Sequence, residues 1–122
     1  MKEKQFNTRA VHAGERATFA NINSVVTPIF PSVGYTFADS TELDAVLGGE
    51  KPGYVYSPRY ANPTVAAFET AVANLESAEA AIALPSGMAA VHLALLGAGV
   101  RAGSHVIVAA DVYGAPCSLV QG

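Results

Sequence analysis

The stretch Ala83-Leu84-Pro85-Ser86-Gly87-Met88-Ala89-Ala90 constrains this chain most, because an apolar run stops at a proline, turns through Ser-Gly and restarts as an alanine-rich segment. Serine is a favoured helix N-cap and alanine the best helix former, so the spacing predicts a strand, a tight turn and a helix N-terminus. Such a terminus leaves backbone N–H groups without intrahelical partners and carries the positive end of the helix dipole. It is therefore a ready site for a phosphate or carboxylate. Gly87, with no Cβ, would let that anion approach the backbone. Taken alone, the tetrapeptide reads more simply as a cap and a turn, and the rest of the chain must decide.

Before this stretch, residues 1–53 show little periodicity and carry prolines at 28, 31 and 52 and glycines at 14, 34, 48, 49 and 53. They read as an irregular arm with one short helix, in which Ser40 caps Thr41 to Leu47 and Gly48-Gly49 ends the run. Val25, Val26, Ile29, Phe30, Val33, Tyr35 and Phe37 need cover that an arm cannot supply to itself, so packing on another subunit is expected. Residues 54–122 read differently. Asn62-Pro63 is a helix start, since Asn accepts from the first turn and Pro at the first position has no N–H to leave unpaired. The helix then places Val65, Phe68, Val72 and Leu75 on one face and ends near Ser77.

Glu79 to Leu84 and His105 to Ala110 are candidate strands on either side of a second helix, Ser86 to about Leu96, whose inner face is Met88, Val91 and Leu95. Strand, helix, strand is a βαβ unit with parallel strands and a right-handed crossover, so the fold class is α/β. Ser86-Gly87-Met88 and Asp111 to Gly114 would then both lie beyond the carboxyl ends of parallel strands, where ligands sit in open α/β sheets. An anion site beside the ring of Tyr113 suits a phosphorylated planar cofactor, and a mononucleotide nearly as well. His92 has no partner at ligand spacing and reads as structural. A third helix begins in the last residues.

Composition narrows the classes further. Apolar residues make up 51% and charged ones 14%, against about 25% charged in an average soluble domain. More burial is expected than one small monomer offers, in an oligomer or a larger parent chain. Seven basic against ten acidic residues, with a net charge of −3 and no basic cluster, argue against nucleic acid as partner. Cys117 is the single cysteine, outside any metal-ligand spacing, and reads as a small buried apolar residue; no metal site is expected. No apolar run approaches the roughly 18 residues of a membrane span. A cytoplasmic protein without membrane partners is the expectation.

Thr8-Arg9-Ala10-Val11-His12-Ala13-Gly14, Thr27-Pro28-Ile29-Phe30, Arg59-Tyr60-Ala61-Asn62-Pro63-Thr64, Ser86-Gly87-Met88-Ala89-Ala90 and Tyr113-Gly114 follow one another in an order that resembles one family. That family is cystathionine gamma-synthase and its relatives, the pyridoxal-phosphate enzymes of cysteine and methionine metabolism, which include O-acetylhomoserine sulfhydrylase and the methionine and cystathionine lyases. The resemblance spans essentially the whole chain, and five ordered motifs are far more specific than one.

It implies an N-terminal arm followed by the start of an aspartate-aminotransferase-like, fold type I large domain with a mainly parallel sheet. It also implies pyridoxal 5'-phosphate as cofactor, an amino-acid substrate, γ-replacement or γ-elimination as chemistry, and a homotetramer built from dimers with shared active sites. Ser86, Gly87 and Met88 would hold the cofactor phosphate, with the backbone N–H groups of Gly87 and Met88 donating. Tyr113 would stack on the pyridine ring and assist proton transfer. Tyr56 and Arg59 would reach the phosphate of a neighbouring subunit, a role to which an arginine fork is suited.

Three departures stand against the pattern. Tyr56-Ser57-Pro58-Arg59 has one residue more than the family's usual Tyr-x-Arg; Ala115-Pro116 follows Tyr113-Gly114 where a small residue and threonine are common, or a cysteine in methionine gamma-lyases. Pyridoxal-phosphate catalysis also needs a lysine that carries the cofactor covalently, and the lysines here are Lys2, Lys4 and Lys51, none at a candidate position. The chain therefore reads as the first third or so of a longer enzyme. The alternatives are a catalytically inactive fragment of such an enzyme and a mononucleotide-binding α/β module, although the glycine-rich turn of the latter is missing.

Overall fold

The computed structural model describes residues 5–14, 24–57 and 61–121. Five helices occur among them: α1 (Phe6–His12), α2 (Ser40–Leu47), α3 (Pro63–Glu76), α4 (Gly87–Gly97) and α5 (Gly114–Gln121). The chain divides into two compact units, Met1–Ile82 and Ala83–Gly122.

In the first unit, α3 is the scaffold. Asn62 caps it, its Oδ1 accepting from the Thr64 N–H at 2.8 Å, and Pro63 occupies the first position. The helix closes at Ser77, in the left-handed region at φ 56°, whose N–H donates to the carbonyls of Ala73 and Asn74. Both ends fall where the sequence puts them. The face that packs is a different matter. The N-terminal half of the apolar face is uncovered, with Val65 exposed and Phe68 60% exposed, while Val72 and Leu75 are half-buried and Pro63 and Ala73 buried. α1 lies against α3, and Arg9 donates through Nη1 to the Asn74 carbonyl and to Ser77 Oγ. A guanidinium at a helix C-terminus meets the negative end of the dipole. α1 itself escapes a purely local reading, because Gln5 provides no side-chain cap and seven residues are too few to hold a helix without tertiary contacts.

After α1 the chain turns at Gly14 (φ +80°), where a Cβ would stand 2.1 Å from the Ala67 carbonyl oxygen of α3. The Gly14 carbonyl accepts from Thr27 Oγ1 at 3.0 Å. Thr64 Oγ1 accepts from the Phe30 N–H at 2.8 Å and donates to the Pro28 carbonyl at 3.2 Å. The arm is thus fastened to its own chain's α3, more fully than the sequence suggests. Its large apolar side chains Val25, Val26, Ile29 and Val33 nevertheless stay exposed. In α2 the cap is Asp39 rather than Ser40: its Oδ1 accepts from the Glu42 N–H at 2.9 Å. Glu42 reaches back to the Ala38 N–H at 3.0 Å and pairs with Lys51, tying the helix start to the turn beyond its end.

In the second unit α4 packs on α5, with Met88, Val91 and Leu95 the half-buried face as expected. The candidate strands 79–84 and 105–110 form no ladder among the described residues, where the only bridge is the antiparallel pair Gly34 and Tyr56. A strand is stable only with a partner to take its N–H and C=O groups. Without one the β-branched run is uncovered, and Ile107 is 100% exposed. Cys117 is half-buried rather than buried.

Two measurements check these assignments. Gly14→Ala combines a left-handed backbone with a backbone clash and should destabilise the fold by about 1–3 kcal/mol in urea titrations. Gly34→Ala, where the added atom meets nothing within 4 Å, should leave the midpoint unchanged; equal midpoints for the two would remove the packing of Gly14 on α3. Glu42 is held below its ordinary 4.5 by the hydrogen bond from Lys51, then by the Ala38 N–H and the Lys51 charge. A carboxyl lowered in the folded state stabilises above its unfolded value and loses that stabilisation as pH falls through the folded one. Thermal midpoints of the parent and Glu42→Gln should therefore differ most at neutral pH and converge below pH 4.5; parallel curves would sink the assignment.

Candidate cofactor site

Ser86, in extended conformation, caps α4: its Oγ accepts from the Ala89 N–H at 3.1 Å and its carbonyl from the Ala90 N–H at 3.1 Å. The two N–H groups that remain are those of Gly87 and Met88, the first positions of the helix, for which helix geometry provides no intrahelical acceptor. Ser86 and Gly87 are exposed, while Met88 is half-buried and anchors the terminus. At Gly87 an added Cβ would meet nothing within 4 Å, and its φ is not positive. Neither packing nor backbone conformation within the chain requires glycine here. A glycine that meets no neighbour, beside two donors without an intrahelical acceptor on a positive helix end, fits a phosphate that approaches from outside.

Tyr113 immediately precedes Gly114, the first residue of α5, and its ring is 77% exposed. Its phenol and face are open to a ligand. His92 is exposed on α4 and lines a cavity of about 480 Å³ with Leu95, Leu96 and Val100, towards the C-terminal end of that helix and away from the Ser86 cap. No group of three potential metal ligands occurs among the described residues. Lys51 is engaged by Glu42.

Tyr56 belongs to the first unit, whereas Ser86, Gly87, Met88 and Tyr113 belong to the second. Tyr56 is 45% exposed and forms the bridge with Gly34. Arg59 lies outside the described residues. Close by, Tyr54 stacks at a tilt on Tyr35 with ring centroids 5.8 Å apart, and partial burial followed by the neighbouring Tyr35 phenol raises its hydroxyl above the usual 10.0. The residue that local reasoning underrates is Asn62. It serves as the expected cap, but its Nδ2 also donates to the Phe30 carbonyl at 2.9 Å, Ser57 Oγ at 3.0 Å and Tyr35 Oη at 3.3 Å. Partners 27 and 32 residues away leave no local signal.

Comparison with known proteins gives this geometry its setting. The family model for Cys/Met metabolism PLP-dependent enzymes matches residues 7–122. The chain belongs to that family. Its cofactor is pyridoxal phosphate, as the five ordered motifs imply. The chain is 43% identical to O-succinylhomoserine sulfhydrylase of Pseudomonas aeruginosa over 114 residues, which are 93% of this chain and 27% of that protein. It is 40% identical to cystathionine gamma-synthase of Mycobacterium bovis, again over 93% of this chain and 27% of the relative. The crystal structure of metB from Corynebacterium glutamicum superposes with a TM-score of 0.78 at 33% identity, covering 96% of this chain and 28% of that one. The fold class is therefore that of the PLP-dependent α/β enzymes, and the chain spans little more than a quarter of the length of these relatives.

Proposed function

We propose that this chain supplies the phosphate-binding helix and the ring-stacking tyrosine of a pyridoxal-phosphate enzyme that replaces or eliminates the γ-substituent of a homoserine-derived or sulfur amino acid. The observation that carries the reading is the Ser86-capped start of α4, where helix geometry gives the N–H groups of Gly87 and Met88 no intrahelical acceptor, at a glycine whose added Cβ would meet nothing within 4 Å. When bound, the cofactor supplies an electron sink for carbanions at the substrate's α and β carbons. Ser86 fixes the turn by capping α4, so the donors of Gly87 and Met88 are oriented before the phosphate arrives. Preorganised donors need no rearrangement during turnover. Tyr113 stacks through its ring and moves a proton through Oη. Tyr56 and Arg59 bind the phosphate of a neighbouring subunit, in a homotetramer of dimers acting in the cytoplasm. The relatives' names support sulfhydrylase and synthase chemistry alike.

Three substitutions in the protein expressed from its complete gene test this. Gly87→Val should weaken pyridoxal phosphate at least tenfold while leaving pyridoxal, which lacks the phosphate, little changed; equal binding of pyridoxal phosphate by variant and parent would remove the phosphate from the α4 terminus. Tyr113→Phe should keep cofactor affinity within a few-fold but slow turnover roughly 10²-fold, the loss typical of a positioned acid–base group. Tyr113→Ala should lose both. Parental turnover by Tyr113→Phe would leave the residue a stacking role only, and parental affinity in Tyr113→Ala would take the ring out of the site.

A further inference from the structure

We infer that Asn62, acting through Ser57, is a positioning residue for Tyr56, holding the backbone from which the Tyr56 phenol is presented to the cofactor phosphate. The inference rests on the phosphate reading above and adds to it a residue that touches neither cofactor nor substrate. Asn62 is 7% exposed. Capping α3 uses only its Oδ1, a task that Ser, Thr or Asp performs equally well. The Nδ2 bonds to Phe30, Tyr35 and Ser57 are unrelated to the cap, and an amide offers an acceptor oxygen and two N–H donors on separate atoms, whereas a capping hydroxyl has one donor and a carboxylate none.

Ser57 is held from several sides at once. Its Oγ accepts from Asn62 and donates to the Ser32 carbonyl at 2.6 Å, while its N–H donates to the Val33 carbonyl at 2.8 Å. The Tyr35 N–H donates to the Val55 carbonyl at 3.3 Å, so Tyr56 sits between two main-chain bonds and pairs with Gly34. Residue 57 is thereby fixed through both its side chain and its N–H, directly after Tyr56, whose side chain is 45% exposed. The Nδ2 of Asn62 thus helps to hold the backbone from which the phenol projects.

The test uses the protein expressed from its complete gene and two probes, pyridoxal phosphate and pyridoxal, whose ratio of dissociation constants isolates the phosphate. Ser57→Ala deletes the link and spares the α3 cap. It should shrink that ratio by roughly 3- to 10-fold, the range of one net hydrogen bond, with pyridoxal affinity unchanged. Ser57→Thr, which keeps the hydroxyl, should restore it. Tyr56→Phe should shrink the ratio similarly, and the double variant Tyr56→Phe with Ser57→Ala should lose no more than either, because both act on one contact. If Ser57→Ala lowered the thermal midpoint but kept the parental ratio, Asn62 and Ser57 would serve the fold alone and the inference would fall. Full additivity of the two substitutions would overturn it as well. A parent that binds pyridoxal as tightly as pyridoxal phosphate overturns the phosphate reading, and this inference with it.

Discussion

The buried carboxamide of Asn62 is the interaction on which the first unit depends. One oxygen accepts the orphan N–H of Thr64, and one nitrogen reaches Phe30 and Tyr35, both distant in sequence, as well as Ser57. Two hydrogens shared among three half-buried acceptors make the group costly to replace, because removing it takes a donor from all three at once. Thr64 does similar work two residues on, joining the Phe30 N–H to the Pro28 carbonyl. The start of α3 is therefore both a helix cap and the place where the arm is tied down. Arg9 closes the other end by meeting the last carbonyls of the helix.

These ties are polar because the apolar surface is engaged so little. Half the sequence is apolar, yet among the described residues only Ala73 of that kind falls in the buried class, together with Pro63 and Asn62. Phe68, Ile29 and Ile107 remain open, and covering each would contribute about 1.5–3 kcal/mol. The uncovered side chains lie on the faces that the sequence marks as sheet-facing or arm-borne. A strand such as 105–110 is hydrophobic along its length because a parallel sheet covers both its faces. Its exposure here is what that pattern becomes when no neighbouring strand is in place.

Features governed by adjacent residues were legible in the sequence. The cap at Asn62, the end at Ser77, the Ser86 cap and the half-buried face of α4 all follow from neighbours within a turn or two. Features set by distant partners were not. α1 exists because Arg9 and Gly14 meet α3, and nothing in seven residues without a capping side chain announces it. The cap of α2 shifted by one residue to Asp39 because both Asp39 and Ser40 can cap, and the reach of Glu42 back to Ala38 settles the choice. The start of α4 at Gly87 was legible because a helix N-terminus is a local object. The network that orients Tyr56 was hidden because it joins residues 32, 33, 35 and 62 to residue 57.

Gly14 and Gly87 separate the two reasons a chain keeps glycine. At Gly14 the structure itself forbids a side chain, through a positive φ and a carbonyl where the Cβ would be; the residue is explained without reference to any ligand. At Gly87 neither constraint operates, and glycine at the start of a helix forfeits up to about 1 kcal/mol of propensity relative to alanine. On the reading proposed above, the return for that penalty is a phosphate that comes closer than a Cβ allows. Both glycines sit in motifs that drew attention in the sequence, yet one serves the fold and the other is free to serve chemistry. The space around the missing Cβ distinguishes them, which the sequence alone does not contain.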